Sequence, residues 1–167
     1  MSYQEHKHVS PQNVKCAVIT TSDSRTVVDD ESGKFIKQRL TENGHTVTHY
    51  TIIKNDAVLI GDEIKRLLDH KDIQVIITSG GTGLSQRDVT VNTIRPLMEK
   101  EIEGFGEIFR QLSFQEIGAG AIMSRAIAGV VKSKIIICLP GSLGAAKLAM
   151  DKIILPEIGH MVREATR

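Results

Sequence analysis

Tryptophan is absent from the 167 residues, and there are only two tyrosines and four phenylalanines. Single strands of nucleic acid are held by stacking bases on aromatic rings in a basic groove. Here 21 Lys plus Arg stand against 20 Asp plus Glu, a net charge of only +1, so no nucleic-acid partner is expected. Cysteine is scarce too. Cys16 and Cys138 each sit inside an apolar run, VKCAVI and IIICL, which suits reduced core thiols in a reducing compartment, and the cytoplasm is the expected location. No apolar run approaches the ~20 residues of a membrane span. The first 13 residues lack the apolar segment of a secretory signal, so no membrane partner is expected. The six histidines show no His-Glu-x-x-His spacing, and no zinc site is read from them.

What is present is an alternation of short apolar runs and segments of helical period, in one domain over residues 14–167 behind a polar tail, 1–13, expected to be loosely ordered. Strands are predicted at 14–21, 46–53, 73–78 and 134–139. Helices are predicted at 33–43, with Gly44 placed to end it, and at 56–70, with Ile60, Ile64, Leu67 and Leu68 at helical spacing and Asp56 as N-cap. Less regular helical material follows at 91–100 and 105–115, then a stretch of small residues at 118–129. Phe105 and Phe109 suit either the core or an oligomer interface. Ser142 is placed to cap a helix over 145–155, and Pro156 to start or kink a terminal one. Runs as continuously apolar as 73–78 and 134–139 fit parallel strands buried on both faces, and therefore a sheet covered by helices on both sides.

In such sheets ligands bind beyond the carboxyl ends of the strands. Three loops there have unusual composition: Thr20 to Gly33, Thr78 to Asp88, and Pro140-Gly141-Ser142. Gly80, Gly81 and Gly83 permit backbone N–H groups to converge on an anion, helped by the hydroxyls of Thr78, Ser79 and Thr82, with Arg87 beside them. The alternative is an ordinary strand-to-helix turn. No Gly-Lys-Ser/Thr follows, and a third glycine of the dinucleotide fingerprint is missing. Asp56 and Asp88 each have two readings, as helix caps or as ligands of Mg²⁺ bridging carboxylate and phosphate. Ser113 and Ser124 lack a base partner, and there is no Gly-x-Ser-x-Gly elbow, so no nucleophile is assigned.

The run Thr78-Ser79-Gly80-Gly81-Thr82-Gly83 with Arg87-Asp88-Val89-Thr90 resembles the signature of the MoaB/MogA molybdopterin-binding family. The blocks Glu101 to Arg110, Leu112 to Gly118, Ser124-Arg125-Ala126 and Pro140-Gly141-Ser142 extend the resemblance over most of residues 14–160. It implies a three-layer αβα sandwich with a mostly parallel central sheet, assembled as trimers or hexamers. It also implies adenylation of molybdopterin by ATP with Mg²⁺, giving adenylyl-molybdopterin and pyrophosphate. By motif, Asp56 and Asp88 would be the essential, metal-associated aspartates. Ser22, Asp30 and Ser113 would belong to the pocket, and the glycine loop, Ser124 and residues 140–142 would line the pterin and phosphate site. Where MogA-type members carry Pro-Gly-Asn-Pro, this chain has Pro140-Gly141-Ser142-Leu143, so an amide is replaced by a hydroxyl of shorter reach. The Arg87-Asp88 pair is intact. The runner-up is a carrier that holds molybdopterin without adenylating it.

Overall fold

Two hydrophobic cores, one on each side of a single six-stranded sheet, organise the chain in the computed structural model, which describes residues 2–167. The strands are β1 (Lys15–Thr21), β2 (Thr46–Ile53), β3 (Val75–Ser79), β4 (Lys100–Glu101), β5 (Ile127–Val131) and β6 (Lys134–Leu139), in spatial order β2-β1-β3-β6-β5-β4. The four from β2 to β6 in that order are mutually parallel, while at one edge β5 pairs antiparallel with β6 and β4 antiparallel with β5. The helices are α1 (Tyr3–His8), α2 (Glu31–Glu42), α3 (Ala57–Asp69), α4 (Thr90–Ile94), α5 (Glu103–Ile117), α6 (Leu143–Ala149) and α7 (Leu155–Ala165).

The two-residue period of a strand sorts side chains between the cores. Cys16 and Val18 of β1, Val75 and Ile77 of β3, and Ile135 and Ile137 of β6 face α2, α5, α6 and α7. Ala17, Ile19, Ile76, Ile136 and Cys138 face α3 and α4. Both faces are apolar because both are covered, which is why these strands read as unbroken runs. Burial pushes both thiols, Cys16 and Cys138, up to about 12, and they are free and unpaired.

The three-layer, mostly parallel expectation holds. Strands 46–53 and 134–139 lie where predicted, Asp56 and Ser142 cap α3 and α6, and Gly44, at φ +82°, follows the end of α2. Four readings need correction. The N-terminal tail is not loose: Ser2 caps α1 in a capping box, and α1 packs on α7. The predicted helix over 91–100 stops at Ile94, because Pro96 converts the next turn to 3₁₀ geometry, and Lys100 enters strand β4. The small-residue stretch 118–129 hides β5. Its two-residue hairpin to β6 is made by Lys132 and Ser133 at φ +49° and +59°, without the Asn or Gly that usually announces such a turn. The predicted helix 145–155 is split by a π-helical turn over Met150–Ile154. Phe105 and Phe109, stacked with centroids 6.4 Å apart, are core residues.

Candidate functional site

The carboxyl ends of β1, β3 and β6 open into a cleft of about 510 Å³. Thr21, the last residue of β1, lines it with Ser22 and Arg25 from the loop that follows, and Asn55 from the loop after β2. Ser79 ends β3, residues 80–83 and Asp88 come from the loop after it, Met123 and Ser124 from the turn before β5, and residues 140–142 from the loop after β6.

The glycine loop is shaped by close packing. Gly80, at φ +111°, donates its N–H to Leu139 O at 2.9 Å, and a Cβ there would overlap the Thr21 carbonyl oxygen. A Cβ on Gly141 would lie 3.2 Å from Gly80 Cα, so the two turns pack backbone to backbone. Gly81, at φ +67°, accepts from Thr90 N at 3.1 Å. The N–H groups of Gly81, Thr82 and Gly83 have no acceptor within the described residues. Three consecutive unpaired donors in a cleft wall make an anion-binding concavity.

Asp88 Oδ2 accepts from Ser85 N at 3.0 Å and Ser85 Oγ at 2.7 Å, which fixes the carboxylate against the loop while Oδ1 has no partner among the described residues. Asp56 does cap α3, Oδ1 accepting from Val58 N and Leu59 N at 2.9 and 3.0 Å, and its Oδ2 is likewise unpartnered. Capping therefore does not exhaust either carboxylate. Each retains the kind of hard oxygen donor that Mg²⁺ takes.

Of the residues singled out in the sequence, Ser22, Ser79, Gly80, Gly81, Thr82, Gly83, Asp88, Ser124, Pro140, Gly141 and Ser142 are brought together in the lining. Asp56, read from the sequence as a partner of Asp88, is not in the lining; it follows the lining residue Asn55 in the chain and caps α3. Thr78 is fully buried in β3 and faces the interior, Ser113 is buried in α5, and Arg87 lies outside the lining with its guanidinium exposed. Arg87 instead donates to Asp23 Oδ2 at 2.7 and 3.1 Å, and Asp23 Oδ1 accepts from Asn55 N at 3.1 Å. Three loops are thereby tied together, and the Arg87 and Asn55 donors hold the Asp23 carboxyl below its ordinary range. The cation in the lining is Arg25, which donates to Gly141 O at 3.0 Å and lies 3.8 Å from Asp30 Oδ1. Arg25 lies in the first loop singled out in the sequence but was given no role of its own, and Asn55 escaped the sequence reading because it does not adjoin the glycines. The only signal was their place at the ends of β1 and β2.

Asp30 is in the frame of the site and not in its wall. Fully buried, it caps α2 through Gly33 N at 3.0 Å and accepts from Thr20 Oγ1 at 2.6 Å and from the Tyr50 hydroxyl. Burial pushes its carboxyl up, but these three donors and the Arg25 charge outweigh it and hold the group below the ordinary range. A carboxyl lowered on folding contributes stability that is present above the unfolded value of about 3.9 and is lost as pH falls through the folded value. The stability gap between wild type and Asp30→Asn, measured by urea unfolding from pH 7 to 3, is therefore expected to narrow below about pH 4. A gap that stayed constant would show that the Asp30 charge is not what matters.

Comparison with known proteins decides the family. Residues 17–160 match the family model described as "Probable molybdopterin binding domain". The chain belongs to this molybdopterin-binding family. Among curated relatives, the molybdenum cofactor biosynthesis protein B of Bacillus anthracis is 45% identical over 168 residues, covering 100% of this chain and 99% of that protein. The protein of the same name from Staphylococcus aureus strain Mu50 is 48% identical over 167 residues, covering 98% and 99%. A crystal structure of molybdenum cofactor biosynthesis protein B superposes with a TM-score of 0.91 at 45% identity, over 95% of this chain and 99% of that one. The tungsten cofactor synthesizing protein MoaB of Pyrococcus furiosus follows the same fold, with a TM-score of 0.80 at 33% identity over 95% and 100%. No helix among the described residues is long and apolar enough to cross a membrane.

Proposed function

We propose that this family member acts in molybdenum cofactor biosynthesis by adenylating molybdopterin with ATP. The observation that carries the reading is the row of three unpaired N–H groups at Gly81, Thr82 and Gly83 in one cleft with the half-satisfied carboxylate of Asp88. In the reaction, an oxygen of the molybdopterin phosphate attacks the α-phosphorus of ATP, the bond to the β-phosphate oxygen breaks, and pyrophosphate leaves. No enzyme nucleophile is required, in keeping with a lining that holds hydroxyls but no Cys, His or Lys, and catalysis is positioning and charge neutralisation.

The glycine-loop N–H groups hold phosphate oxygens, and Arg25 adds positive charge at the wall formed by Gly141. Asp56 and Asp88 would hold Mg²⁺ through their unpartnered oxygens; the ion would neutralise triphosphate charge. Ser124 and residues 140–142 provide the remaining wall. The homo-oligomer implied by the family fits the exposed apolar residues Ile108, Phe114, Ile117, Ile122 and Met123 along α5 and the turn after it. Reduced thiols at Cys16 and Cys138 suit a cytoplasmic site of action.

One observation favours the carrier reading. Ser142 Oγ accepts from Ala145 N at 3.2 Å to cap α6, so this hydroxyl is engaged at the position where MogA-type members carry Asn. Single-turnover mixing of the purified protein with ATP, molybdopterin and Mg²⁺, with product separated by chromatography, distinguishes the two. Equimolar adenylyl-molybdopterin and pyrophosphate are expected. Tight pterin binding with no adenylated product would establish the carrier.

A further inference from the structure

Far from the cleft, the two ends of the chain meet. Helix α1 lies on α7, and His6, His160 and Glu164 bring one ligand-capable atom each to within 4.8 Å of the others. His6 Nδ1 is 3.0 Å from Glu164 Oε1, and His160 Nε2 is 3.9 Å from the same oxygen. Tetrahedral zinc with bonds of about 2.0–2.1 Å to nitrogen and oxygen separates its ligand atoms by about 3.3 Å. The observed spacings bracket that value.

Two further features mark a cation site instead of a chance cluster of surface groups. The first is how His160 is held. Its Nδ1 is 2.9 Å from Glu157 Oε2, and because the carboxylate accepts, Nδ1 is the donor there, which leaves Nε2, on the side of Glu164, as the ring nitrogen that can bind a metal. A carboxylate behind the ring of a ligating histidine is the usual support of a metal ligand. Glu157 is itself held by the Tyr3 hydroxyl and by Lys7 Nζ at 3.0 Å, so α1 supplies both a candidate ligand and the groups that steady the supporting carboxylate. The second feature is Arg163. Its Nη1 is 2.6 Å from His6 Nδ1 and 2.6 Å from Glu164 Oε1, so the two lone pairs already converge on a cation. A permanently charged guanidinium is holding the place that a smaller, doubly charged ion would fill more completely.

We propose that His6, His160 and Glu164 form a site for a divalent transition ion of the zinc class, with water completing the coordination, and that the ion staples α1 to α7. Two imidazoles and one carboxylate select such an ion over Mg²⁺, which prefers oxygen ligands throughout. Sequence spacing hides the site because its histidines come from opposite ends of the chain. Arg163 competes with the metal and swings away when it binds.

The test is a zinc titration of the chelator-stripped full-length protein against a chromogenic chelator. One zinc per chain is expected. His6→Ala, which cannot disturb the core because α1 buries no residue, and Glu164→Gln are each expected to weaken binding at least ~10-fold, as is His160→Ala. Arg163→Gln is expected to tighten it by ~3-fold or more, since a competing charge is removed. His49→Ala, beside Glu63 at a separate place, serves as the control and should bind like wild type. Zinc should also raise the thermal midpoint and slow proteolysis of the first ten residues in wild type but not in His6→Ala. Absence of stoichiometric binding overturns the proposal, and so does zinc binding by His6→Ala and His160→Ala at wild-type strength. Because none of these readouts involves the cleft, their failure would leave the adenylation reading untouched.

Discussion

Replacing Asp88 by Asn is expected to lower the single-turnover rate of adenylyl-molybdopterin formation by ~100-fold or more while lowering the thermal midpoint by only about 2–4 °C. The two outcomes separate because the two carboxylate oxygens have different work. Oδ2 accepts from Ser85 N and Oγ, an arrangement that the amide oxygen of Asn can reproduce. Exchanging an ionised acceptor for a neutral one in that turn costs about 1 kcal/mol. Oδ1, which has no partner in the chain, becomes an NH₂ group: a negatively charged acceptor is replaced by a donor. Any cation bridging that oxygen to phosphate loses its ligand. Parallel measurement of ATP binding should show the same loss in the presence of Mg²⁺ and little difference without it. A rate within a few-fold of wild type, in a variant of near-wild-type stability, would remove Asp88 from the reaction and with it the metal arrangement proposed for the cleft.

The second large effect is expected in stability. Gly80→Ala should destabilise the protein by about 3 kcal/mol or more, the sum of a backbone strain of about 1–3 kcal/mol at φ +111° and an overpacking cost of similar size. The added methyl would overlap the Thr21 carbonyl oxygen and sit 2.8 Å from Thr21 Oγ1, and neither can retreat, since Thr21 belongs to β1 and its hydroxyl also meets Thr90 Oγ1 at 3.2 Å. Gly44→Ala isolates the first contribution. Gly44 has φ +82° but nothing within 4 Å of a would-be Cβ, so that variant should cost only about 1–2 kcal/mol. Urea unfolding of the two variants side by side measures the difference. Equal losses would mean that the contact between the glycine loop and β1 is looser than the structure describes, and the row of unpaired N–H groups would lose its structural support.

The glycine loop was legible because it concentrates its signal: three glycines, four hydroxyls and an aspartate within eleven residues, Thr78 to Asp88, at the end of an apolar strand. Most of that wall is contiguous in the chain, so composition is enough to find it. The facing wall is assembled from single residues. Arg25 and Asn55 reach the cleft because β1 lies between β2 and β3 in the sheet, a fact of strand order that local composition does not carry. Arg87 looks from its position like the phosphate-binding arginine, yet Asp23, 64 residues away, has drawn it into an ion pair across the rim. Asp30 shows the same limit in reverse, since a polar loop residue has been folded beneath Tyr50 and Thr20 and serves the site by supporting its frame.

By itself the sequence determined the elements whose signals are local. Unbroken apolar runs specify strands buried on two faces, helical periodicity with Asp56 and Ser142 as caps specifies where helices begin, and positive-φ glycines specify where the chain turns back on itself. These follow from the torsional and burial preferences of neighbouring residues. Only the tertiary structure decided the antiparallel edge, where Lys132 and Ser133 accept left-handed backbone because β5 has β4 and β6 to pair with on either side. Only it decided that the polar N-terminus becomes a helix, since so short a segment gains too little from its own hydrogen bonds and is stabilised by docking on α7. It also chose which charged groups face the cleft and which face each other. Those choices depend on side chains far apart in the chain, and their free energy is set by the dielectric and geometry of places that exist only once the sheet has formed.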